Sequence, residues 1–134
     1  MWQLNLWAAW TGVLMGFVSG AVAGVCFSRA DWLGGYGSWR RRLMRLGHIS
    51  FFGLAGINLM FALTARALAD PAQPMPTGLL IAGGLLIGGA ITMPTLCFLS
   101  AWRESWRHLF VVPVGFLIAG VVTLITWGAW GALS

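Results

Sequence analysis

The sequence contains no lysine and only three acidic residues, Asp31, Asp70 and Glu104. Two histidines, two cysteines and one tyrosine are equally sparse. A charged fraction of 8% excludes an ordinary soluble domain, in which about a quarter of residues carry charge. No Asp or Glu falls inside an apolar run, so neither acid–base hydrolysis nor proton-coupled transport has a carboxylate near a membrane midplane. No histidine adjoins a serine or cysteine, and no glycine-rich phosphate loop follows a strand. The two cysteines, Cys26 and Cys97, both lie in apolar runs, which argues against a disulfide of the secreted type. No basic region precedes the first apolar run, which is too long for a signal-peptide core, so this segment is expected to remain in the mature protein.

What is abundant is apolar surface. Of 134 residues, 59% are hydrophobic, and they gather in four runs, at about 4–27, 48–68, 78–101 and 109–130. About twenty helical residues cross a hydrocarbon core of roughly 30 Å, whereas a membrane strand needs only about ten. The expected fold is an all-α integral membrane protein: a single domain over 1–134, forming a four-transmembrane-helix bundle.

The eight arginines give the net charge of +5, and they divide unevenly. Arg29, Arg40, Arg41, Arg42, Arg45, Arg103 and Arg107 lie in loops 28–47 and 102–108, against Arg66 alone on the opposite side. By the positive-inside rule those loops are cytoplasmic and both termini face outward. Tryptophans agree: Trp2, Trp7, Trp10, Trp127 and Trp130 mark one interface, and Trp32, Trp39, Trp102 and Trp106 the other. Basic residues flanking apolar spans point to a lipid surface and away from nucleic acid. Arg40, Arg41, Arg42 and Arg45 are candidates for holding anionic headgroups. A multi-pass protein of the bacterial inner membrane is the expected setting.

In the first run Ala8, Gly12, Gly16, Gly20, Gly24 and Ser28 recur every four residues. On a helix they share one face, a groove that lets a second backbone come close in lipid. Gly84 and Gly88 thin the third helix. Gly115, Ala119 and Thr123 repeat the spacing in the fourth and read as the counterpart of the first helix's groove. Pro94 frees the carbonyl of Ala90, with Thr92 and Thr95 near enough to resatisfy the backbone, and Pro113 falls near a helix start, where it costs less. Asn58 must find a hydrogen bond inside the bundle, and Arg66 and Asp70 are spaced to pair. Ser28 and Asp31 are candidate caps for a short interfacial helix that Gly34, Gly35 and Gly37 interrupt.

The halves also read alike. Cys26-Phe27-Ser28 and Cys97-Phe98-Leu99-Ser100 each precede a Trp- and Arg-containing loop, and His48 and His108 each open the next helix. This suggests two parallel helical-hairpin repeats. It also sets two cofactor alternatives: His48 and His108 as axial ligands of a b-type haem, or Cys26, Cys97, His48 and His108 around copper or zinc. Against both stands plain packing, since cysteine is a common core residue and interfacial histidines need no ligand. The expected function is a small non-catalytic membrane subunit, packing against other helices in a larger bacterial respiratory or photosynthetic complex or against itself. The alternative is a b-type haem- or metal-binding electron-transfer or assembly protein using His48 and His108.

Overall fold

Each apolar run is helical in the computed structural model, which describes the backbone of residues 1–69 and 72–133 and the side chains through Gly128. The helices are α1 (Trp2–Phe27), α2 (Trp39–Leu68), α3 (Thr77–Trp102) and α4 (Val111–Leu133). A 3₁₀ turn at Trp32–Gly34 separates α1 from α2, and a 3₁₀ segment at Glu104–Phe110 leads into α4. All four long segments are long and apolar enough to cross a membrane. The order is antiparallel, so seven arginines gather at one end of the bundle and Arg66 stands at the other.

The Arg-rich loop is shorter than expected because α2 starts at Trp39 instead of His48. Ser38 explains the start: its Oγ accepts the Arg41 amide at 3.2 Å, an N-cap that satisfies one of the free donors of the first turn. The expected caps do other things. Ser28 Oγ donates to the Val25 carbonyl at 2.8 Å, and Asp31 precedes its turn without a side-chain bond. The chain turns through three successive left-handed residues, Leu33 (φ 54°), Gly34 (φ 87°) and Gly35 (φ 91°). Glycine takes that conformation freely; Leu33 takes it at a cost of about 1–2 kcal/mol.

Packing follows chain order. α2 lies along both α1 and α3, and α3 lies between α2 and α4. α1 touches α3 only slightly, and among the described residues no extended packing joins α1 to α4. Gly115 and Ala119 are therefore not the counterpart of the α1 groove: Gly115 faces open space and Ala119 is exposed. The core sits toward the Arg66 end, where Phe61, Ala65, Leu79, Ala82 and Leu86 are buried beneath Trp2, Leu117 and Trp127.

Pro94 is buried within α3, and Pro113 is buried in the first turn of α4, where the missing N–H costs little. The threonines near Pro94 do not reach the Ala90 carbonyl. Thr92 donates to Gly88 (2.7 Å) and Thr95 to Ile91 (2.6 Å), each one turn back. Arg66 lies 5.5 Å from the Trp2 ring; its expected partner Asp70, like the side chain of Trp130, lies outside the described residues.

Candidate functional site

The glycine face of α1 is filled from within the chain. A side-chain carbon at Gly12 would stand 3.1 Å from Ala55 Cβ and 3.2 Å from the Phe51 carbonyl. At Gly16 it would stand 2.6 Å from the Phe52 ring, and at Gly20 2.7 Å from His48 Cε1. Gly24 faces open space. α3 works likewise: Gly78 receives Trp127, Gly88 faces Phe116 and Gly89 faces Leu117, all from α4, while Gly84 lies near the Met1 side chain. Gly16 and Gly20 on α1 and Gly78, Gly88 and Gly89 on α3 are holes, and large side chains of the next helix are the knobs.

His48 is one of those knobs. It lies edge-on to Phe52, ring centroids 5.4 Å apart, and its Nδ1 is 3.1 Å from Ser19 Oγ. Ser19 Oγ also lies 3.1 Å from the Gly16 carbonyl. A hydroxyl has one hydrogen; given to Gly16, it makes Nδ1–H the donor to Ser19 and leaves Nε2 as the ring's acceptor. His108 has different surroundings, exposed on the Glu104–Phe110 segment that packs on α3 and α4. Cys97 is buried against Gly47 between α2 and α3, whereas Cys26 is half-buried near the end of α1. Among the described residues no three of the His, Cys, Asp and Glu side chains come together as a metal site. The residues that suggest a repeat thus occupy unlike places.

Arginine 41 departs from the surface role read for it. It is 1% exposed, enclosed by Phe27 (5.1 Å), Trp32 (5.5 Å) and Tyr36 (6.0 Å). One Nη donates to the Arg29 carbonyl, and Nε is buried without a partner among the described residues. Arg45 also lies over Tyr36, at 5.1 Å, while Arg40 and Arg42 are exposed. Stacking suits a guanidinium, which is planar and weakly hydrated, so Arg41 pins the loop to the end of α1.

A polar tie joins three helices at the other end. Asn5 Nδ2 donates to Asn58 Oδ1 (2.9 Å) and to the Gly83 carbonyl (3.1 Å), and Asn58 Nδ2 donates to Leu54 (2.9 Å). Asn58 therefore makes the expected interhelical bond. Asn5 was missed; a lone amide in an apolar run is the same signal that singles out Asn58.

Two clefts remain. One, of about 330 Å³, lies between α1 and α3 with α2 as its floor, and is lined by Ala8, Thr11, Gly12, Ala55, Ala90 and Thr95 among others. The second, of about 350 Å³, lies at the Arg-rich end between α2 and the segment before α4. No protein-family model, curated protein or solved structure matches this chain.

Proposed function

We propose that this protein is a non-catalytic, multi-pass membrane subunit that receives a transmembrane helix of another chain in the cleft between α1 and α3. The cleft itself carries the reading. Its small wall residues Ala8 and Ala90 permit close backbone approach, which is what drives helix association in lipid, while Gly12 and Ala55 are packed on each other. No ionisable side chain lines it, and Thr11 and Thr95 are its polar members. α4 packs elsewhere on α3 and leaves the cleft open. The setting is a bacterial inner membrane, with the Arg-rich end cytoplasmic and both termini outside.

Blue-native electrophoresis after mild detergent extraction tests the reading. The native protein migrates in a larger assembly, co-purifying with the respiratory or photosynthetic partner expected from its setting. Thr11→Leu and Ala90→Leu, which fill the cleft, release it as a monomer, whereas Gly115→Leu on α4 does not. Migration of the native chain as a lone monomer in several mild detergents would sink the idea.

A second reading rests on His48. Ser19 Oγ lies 3.1 Å from Nδ1, which orients the ring, and Nε2 makes no hydrogen bond among the described residues, an arrangement shared by many haem and metal ligands. Absorption spectra of oxidised and dithionite-reduced protein, with elemental analysis, test it. A reduced b-type band lost in His48→Ala supports it; a flat spectrum without stoichiometric metal retires it.

A further inference from the structure

We infer that the cleft formed by Trp39, Arg42, Leu43, Glu104, Arg107 and Phe110 binds the phosphodiester headgroup of a monoanionic phospholipid. Its two walls come from distant parts of the chain, the first turn of α2 and the 3₁₀ segment before α4, and they enclose about 350 Å³. Glu104 Oε1 holds Arg107 Nη1 at 2.6 Å, which orients that guanidinium along the wall. The Arg42 guanidinium is exposed and has no hydrogen bond or ion pair among the described residues. Two guanidinium groups and one carboxylate leave one net positive charge, the complement of a single phosphodiester.

The remaining features fit a lipid better than a free anion. Trp39, Leu43 and Phe110 give the cleft an apolar side, and an interfacial tryptophan lies naturally at glycerol depth. No acidic residue occupies the first turn of α2, so its amide end adds positive potential near Arg42. Arginine forks match phosphate oxygens two at a time, which a diffuse basic surface does not require. The inference does not depend on the α1–α3 cleft and is read at other residues of α2, near its start, and by a different assay.

The test uses the full chain in phosphatidylcholine vesicles carrying a trace of spin-labelled phosphatidylglycerol or spin-labelled phosphatidylcholine. Electron paramagnetic resonance reads the fraction of immobilised probe at about 0.5 M salt, where diffuse attraction between exposed charges is largely screened. The wild type immobilises phosphatidylglycerol preferentially. Arg42→Gln and Arg107→Gln each lower that preference about fivefold, the weight of one arginine near an anionic lipid. Arg40→Gln, on the same turn but outside the cleft, leaves it unchanged. The inference is overturned by equal immobilisation of both probes, by preference for labelled phosphatidylethanolamine, or by Arg40→Gln matching Arg42→Gln. Displacement of the lipid by millimolar inorganic phosphate would also overturn it, since the occupant would then be a free anion.

Discussion

Asn5 and Asn58 are each 0% exposed, inside a bundle where an amide without partners costs several kcal/mol. Their mutual bond answers most of that cost, although Asn5 Oδ1 has no donor among the described residues. The two amides are not equivalent. Asn58 accepts from Asn5 and also donates to the carbonyls of Leu54 and, at 3.4 Å, Leu86, so its removal undoes more. Asn58→Ala is expected to destabilise the fold by about 1–2 kcal/mol in a sodium dodecyl sulfate unfolding titration. Asn5→Ala should cost less, because it removes the orphaned oxygen together with the bond. Equal and negligible effects would show the amides to be passengers. Asn58 was legible as a tie from its place in an apolar run, and Asn5 carries the same mark, but their pairing was not legible, since a hydrogen bond across helices leaves no spacing to read. Arg41 was illegible for a similar reason. Nothing local separates it from Arg40 and Arg42, and its enclosure depends on Phe27, Trp32 and Tyr36 converging across a turn.

At the scale of the helices, the pattern is a row of holes on one helix filled by the side chains of the next. His48, Phe52 and Ala55 are spaced by four and then three, so they form one ridge of α2 and meet Gly20, Gly16 and Gly12 in antiparallel order. The glycine row was legible from its period; the ridge was not, because aromatic, imidazole and methyl groups share no composition signal. The tendency of consecutive helices to pack together would have pointed to α2. Gly16→Leu is expected to push α1 away from Phe52 and to lower stability by about 1–3 kcal/mol or more, an overpacking cost. Gly24→Leu, facing open space, should be nearly silent. Thermal unfolding of the two variants in the same detergent separates them. If both fall equally, the α1 face is not packed as described.

The whole molecule reads as four apolar helices with an electrically lopsided pair of ends. That lopsidedness predicts orientation. Alkaline phosphatase inserted within residues 72–76 should be active in a bacterial host, and a green fluorescent reporter there should stay dark. The opposite result would invert the protein and place the Arg-rich cleft outside. The four spans were legible because length and apolarity alone define them. Their lateral order was not, since the same four runs are compatible with a closed ring or with an open file.

The open file has a consequence for how the protein is made. α1 rests chiefly on α2 and α4 on α3, so nearly every large contact joins helices that are neighbours in sequence. During synthesis each newly released helix finds its partner already inserted, and none must wait for a distant one. Contacts that are local along the chain also form fastest. An assembly line of this kind has no closing step: the last helix to emerge completes the row without having to meet the first.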